Sequence, residues 1–215
     1  MKILSILLAG CGLLGGMVAN ASADTPVKQV SNEVAPLPTD AELSPDIQAA
    51  LKQLPALNVF RMVTIVPQAF KPFISMAKAL LTEGKFDSKL RETAILRVAY
   101  LTHASYEWHQ HAFIAQTVGV TDKEMNIIRT QNPVRGLSEE GNFVCQVADE
   151  LTKNATLSDK TFKELYERYD REKATELVFD ISFFNMLSRM LNATRVQIEP
   201  TNPLQGHASP FGVKK

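Results

Sequence analysis

Helix punctuation is the strongest limit on how this chain folds. Ser44 followed by Pro45 gives an N-cap with proline at the first helical position. Helical segments then succeed one another: Pro45 to about Leu54, Leu57 to Val66, and Gln68 to Thr82 closed by Gly84. Asp87-Ser88 leads into Leu90 to His103, and Tyr106 to Val118 ends at Gly119. Thr121 and Glu124 form a capping box that opens a helix through Arg129. Ser138 begins another to about Leu151, Ser158 caps a short one to Tyr169, and Asp170 caps a long one from Arg171 to Leu191. No segment alternates apolar and polar residues at period two over any length, so the fold class is all-α.

The helical domain reads as residues 45–198. Before it, residues 24–44 carry Pro26, Pro36 and Pro38 and form an extended arm. After it, residues 199–215 carry Pro200, Pro203 and Pro210 and form an irregular tail. Residues 1–23 read as a signal peptide. Lys2 precedes an apolar or small stretch from Ile3 to Val18, and Ala21-Ser22-Ala23 is an A-x-A cleavage site before Asp24. Leu8-Ala9-Gly10-Cys11 resembles a lipobox, so a lipoprotein anchored through Cys11 is the alternative. The stretch is short and glycine-rich for a membrane span, which needs about 20 strongly apolar residues. The expectation is an exported protein, periplasmic or secreted, with no stable membrane span once the signal is removed.

Lysine plus arginine equals aspartate plus glutamate at 23 each, so the formal net charge is zero. With no basic run and no field of one sign, nucleic acid is not an expected partner. Export leaves Cys145 as the only cysteine of the mature chain, and one thiol makes no internal disulfide. Cys145 lies in an apolar helical stretch from Gly141 to Ala148 and reads as a small core residue rather than a nucleophile.

Two helices are unusually apolar. Ala94 to Leu101 is hydrophobic on nearly every side with Arg97 as its one charge, and such a helix must be buried by neighbours or by another subunit. Leu177 to Leu187 is similar, as core or as subunit interface. The first of these favours a homo-oligomer.

Three side chains stand out chemically. Glu92 heads the apolar stripe Ile95, Leu96, Ala99; it is either a buried acid with a raised pKa, able to hold or pass a proton, or a solvent-facing acid at a helix start. Glu107 and His111 are four apart on one helix and can touch. They form either an acid–base pair or a capping acid beside a core histidine. Tyr106 and Trp108 flank that pair, and the Tyr106 hydroxyl is able to donate to a substrate. Arg97 would receive a substrate carboxylate or pair with an acid across an interface. His103, Glu107 and His111 would align as a metal set only on one unbroken helix, and a break near Ala104-Ser105 opposes that, so no metal is expected. No glycine-rich phosphate loop, dinucleotide fingerprint or G-x-S-x-G elbow is present, so no cofactor is expected either.

The run from Leu90 to His111, with Tyr106-Glu107-Trp108 and the following His111, resembles the core of the carboxymuconolactone decarboxylase-like superfamily, which includes alkyl hydroperoxidase D-like enzymes. The likeness is strongest over residues 88–119 and extends over about 55–150. It implies an oligomeric helical bundle, trimer or hexamer, with a small-molecule substrate. It matches Glu92 to the family's proton-relay glutamate and His111 to its histidine. Ala104 and Glu107 occupy the places of the C-x-x-C pair of the peroxidase branch, so thiol peroxidase chemistry is not expected of them. The decarboxylase branch implies cofactor-free acid–base chemistry on a small organic acid or lactone, through Glu92, Glu107 and His111. The likeness leaves open a peroxidase-like activity and a non-catalytic exported binding protein.

Overall fold

The computed structural model describes residues 33–212. The signal-peptide and lipobox readings and the first part of the arm lie outside the described residues. Among the described residues the chain is helical with no strand. The helices are α1 (Pro45–Leu51), α2 (Asn58–Val63), α3 (Pro67–Lys78), α4 (Ser88–Leu101), α5 (Ser105–Thr117), α6 (Asp122–Thr130), α7 (Glu139–Asn154), α8 (Asp159–Arg168) and α9 (Arg171–Thr194).

The starts fall where short polar side chains satisfy the first free N–H groups. Asp87, Thr121, Ser138, Ser158 and Asp170 each accept from the backbone three residues on, and Thr121 and Glu124 close a reciprocal capping box. Between α4 and α5 the chain turns sharply. His103 takes a left-handed φ of 54°, and Ala104 N–H donates to Ala99 O at 2.8 Å. This break separates His103 from Glu107, so the three-residue metal alignment does not form. Sequence reading missed a short 3-10 turn at Asp40–Glu42 within the arm; the helix it ran from Gln68 to Thr82 is continuous, but its last turn, Ala79–Glu83, is π-helical.

α4 is the axis of the bundle and packs against α5, α6, α7 and α9. Ala94, Ile95, Leu96, Val98 and Ala99 are essentially inaccessible. Its all-round apolar surface is therefore covered within one chain, and that helix needs no second subunit to explain it. α4 divides two apolar clusters. Ala94, Ile95 and Val98 join the large one with Phe143, Leu177, Ile181 and Phe184, whereas Leu96 joins a smaller one with Ile128, Val134 and Cys145. α9 is mixed: Leu177, Ile181 and Leu191 are core, but Phe179 and Met186 are about half exposed.

The described part of the tail is irregular and well packed. Leu204 and Ser209 are buried, and the rings of Phe211 and Phe60 lie 5.9 Å apart. No described helix is long and apolar enough to cross a membrane.

Candidate active site

Glu92, Glu107 and His111 converge. Glu92 stands one turn into α4, and α5 runs back beside it after the His103 turn. The i, i+4 step on α5 sets Glu107 under His111. His111 Nδ1–H donates to Glu92 Oε2 at 2.7 Å, and Nε2 lies 3.5 Å from Glu107 Oε2. Phe184 of α9 packs edge-on against the imidazole, centroid to centroid 4.7 Å. All three ionisable residues are buried, Glu92 completely. Glu92 is thus enclosed in the core and does not face solvent at the helix start.

Burial sets the electrostatics. It pushes Glu107 up to about 7, reinforced by the Glu92 charge and opposed by His111. Burial opposes a charge on His111 as well, but the field and hydrogen bond of Glu92, with Glu107 behind, outweigh it and raise its pKa. The imidazole is thus held between two carboxyl groups.

The imidazole and Glu107 face an apolar cavity walled by Phe60, Phe73, Leu81, Phe183 and Leu187, with Leu204, Pro210 and Phe211 of the tail closing one side. The cavity volume is about 40 Å³, room for about three waters. No lysine or arginine lines it.

The remaining sequence candidates lie elsewhere or are otherwise engaged. Arg97 is fully buried and grips Asp149 of α7 with two hydrogen bonds, at 2.6 and 3.1 Å, while donating to the carbonyls of Ile128 and Gln131. It ties α4 to α6 and α7 and receives no substrate; its acid partner is in its own chain. Trp108 packs on the smaller apolar cluster, on the other side of α5, and does not line the cavity. Tyr106 does line it, but its hydroxyl donates to Glu199 Oε1 at 2.6 Å and accepts from Val59 N–H at 3.1 Å, so it holds the tail instead of a substrate. Cys145 is buried in the smaller cluster, with its thiol pushed up to about 12 by desolvation.

Sequence reading missed three contributors. Gln110, which also donates to Glu199, and Phe184 gave no signal beyond ordinary helical positions. Asp180 did give one, as the single charge in the apolar run from Leu177 to Leu187. It is completely buried, and burial pushes it up to about 8, with Glu176 and Glu92 adding and Arg91 opposing. Among the described residues no group of histidine, cysteine, aspartate and glutamate is arranged to hold a metal ion.

Residues 67–150 match the carboxymuconolactone decarboxylase family, so the resemblance carried by residues 88–119 holds. No curated protein matches the chain. Solved structures share its fold. An uncharacterised peroxidase-related protein from Ralstonia eutropha JMP134, described as an alkylhydroperoxidase AhpD core, aligns with a TM-score of 0.68 at 19% identity, covering 84% of this chain and 100% of that one. An uncharacterised peroxidase-related protein from Silicibacter sp. TM1040 gives 0.68 at 17% identity, over 81% and 96%. A protein of unknown function from Agrobacterium tumefaciens gives 0.57 at 14%, over 65% and 97%.

Proposed function

We propose, from a carboxymuconolactone decarboxylase-type segment on an alkylhydroperoxidase D-like fold, that this chain is an acid–base enzyme working through its own side chains on a small lactone or organic acid. The observation that carries the reading is the imidazole of His111 held between Glu92 and Glu107 at the wall of an apolar cavity. Glu92 makes the short bond to Nδ1, so it fixes the ring and its tautomer. Nε2 and the Glu107 carboxyl are left toward the cavity, where they take a proton from a bound substrate and return it. With no lysine or arginine in the wall, a substrate carboxylate meets only the imidazolium. The cavity therefore suits a compact, mostly apolar molecule with at most one charge.

The fold relatives named as peroxidase-related raise a second reading, thiol peroxidase chemistry. Ala104 and Glu107 stand where the paired cysteines would be, and the buried, high-pKa Cys145 does not line the cavity. Both features weigh toward acid–base work. Export follows from the apolar N-terminal stretch, and the half-exposed Phe179 and Met186 of α9 favour association of copies. The test is a panel of small lactones and unsaturated or keto acids incubated in D₂O. Deuterium incorporation or CO₂ release should be lost in His111→Gln. Turnover unchanged in that variant would remove the reading.

A further inference from the structure

Glu92 has no direct route to water. It is wholly buried, His111 occupies Oε2, and Oε1 has no hydrogen-bond partner, with Arg91 Nε 3.8 Å away. A proton handed to such a carboxylate must leave through another titratable group, or the relay stops after one transfer. The helix packed across from it supplies one. Asp180 is wholly buried on α9, and neither carboxyl oxygen has a hydrogen-bond partner among the described residues. An orphaned buried acid is a cost that an apolar residue of the same size would remove, so packing gives no reason for it.

The register of α9 locates Asp180 between the surface and the imidazole. Glu176, Asp180 and Phe184 follow at steps of four and share one face. The ends of that face are anchored. Glu176 accepts from the backbone N–H groups of Lys85 at 2.8 Å and Phe86 at 3.0 Å, just ahead of α4, and Phe184 packs on His111. Asp180 therefore lies opposite the first turns of α4. The charged groups acting on it are Arg91 and Glu92 from that helix and Glu176 from its own.

We propose that Asp180 is a proton carrier of this site, accepting from Glu92 and releasing toward Glu176 at the rim. The inference rests on the reading of His111 as the group that moves the proton. In the step, imidazolium Nδ1–H gives its proton to the Glu92 carboxylate, and a half-turn of the carboxyl presents it from the other side. Asp180, already protonated, releases its own proton toward Glu176 and then takes the one from Glu92 as side-chain motion brings the two carboxyl groups, not hydrogen-bonded at rest, into contact. One proton enters, one leaves, and no other bond changes. The raised pKa of Asp180 supports this, because the group then holds a proton to pass on at neutral pH. Arg91, with its unpartnered Nε beside Glu92, keeps a positive charge next to the relay and steadies the carboxylate formed in passing.

The test needs no substrate. Exchange of the His111 ring N–H with solvent is followed by NMR on protein labelled with ¹⁵N-histidine, with thermal unfolding recorded beside it. Asp180→Asn and Glu176→Gln should each slow exchange by about tenfold or more without loss of thermal stability, and Asp180→Glu should restore it. Exchange at the wild-type rate in Asp180→Asn would overturn the proposal, as would Asp180→Glu exchanging as slowly as Asp180→Asn at equal stability. Should Asp180→Asn fail to fold, Glu176→Gln at the rim decides, and unchanged exchange there overturns it. A negative result here leaves the His111 turnover test standing, and failure of that test leaves this measurement interpretable.

Discussion

Nδ1 of His111 lies 2.7 Å from Oε2 of Glu92, although the two residues are 19 positions apart on different helices. The sharp turn at His103 makes this possible by folding α5 back along α4. The pairing fixes which ring nitrogen is held and which is left for chemistry.

Replacing either partner should therefore stop turnover by different means. His111→Gln removes the proton acceptor and should lower kcat by about 10²- to 10⁴-fold. Glu92→Gln keeps the ring but loses the charged acceptor. The His111 pKa should then fall, because the field and hydrogen bond of Glu92 help to raise it. An NMR titration of the ring checks this; a pKa unchanged in Glu92→Gln contradicts the assignment.

Stability should decline as pH rises from mildly acidic values. Glu107 and Asp180 have folded-state pKa values pushed up to about 7 and about 8, so between their unfolded values and these the native state binds more protons. The slope of unfolding free energy with pH is then negative. His111, also raised, contributes stability that is present below its unfolded value and lost above its folded one. Glu124 and Glu150 are lowered: burial opposes this, but Lys89 and Thr121 at Glu124, and Thr161 and Ser158 at Glu150, outweigh it. They protect only above their unfolded range and lose their effect in acid. Tm should peak near about pH 5, and Asp180→Asn should flatten the alkaline side. A Tm that climbs from pH 5 to 8 would contradict this.

Arg97 should behave as a structural residue. Arg97→Met leaves the Asp149 carboxylate only Lys153, at 3.3 Å, and strands two backbone carbonyls, and the loss of a buried partner costs about 3–5 kcal/mol. Asp149 is slightly exposed, which moves the expectation to the lower end. Chemical denaturation measures it, and a variant of wild-type stability would return Arg97 to the list of ligand contacts.

Glu199→Ala should loosen the tail without unfolding the bundle. The carboxylate gathers Tyr106, Gln110 and the backbone of Asn58. Its removal should speed proteolysis between residues 196 and 212 and open the cavity to larger molecules, while Tm drops by only about 2–4 °C per kcal/mol lost. Unchanged cleavage kinetics would show that Leu204 and Phe211 hold the tail unaided.

Much of the fold is legible in the sequence because caps and breakers are local. Thr121 and Glu124, Ser138, Ser158 and Asp170 act within three residues of themselves, and each sits at the helix start it announces. The Glu107–His111 pair is legible for the same reason. Whether Glu92 is buried, which side of α5 Trp108 serves, and what Arg97 holds all depend on neighbours distant in sequence. The tail was least legible: prolines mark it as irregular, but nothing local says that Glu199 finds Tyr106 or that Phe211 finds Phe60. Asp180 was visible as one charge in an apolar run, but a single helix does not reveal that its facing neighbours are Arg91 and Glu92.

The cavity joins two kinds of chain. Its ionisable edge sits on α5, locked to α4, while one wall is an irregular segment held by the Glu199 carboxylate and by the packing of Leu204 and Phe211. Mutation can thus redraw what the chamber admits by altering residues 199–212 while the glutamates and imidazole stay in register. Divergence in ligand choice among proteins of this build should be sought first in that last segment.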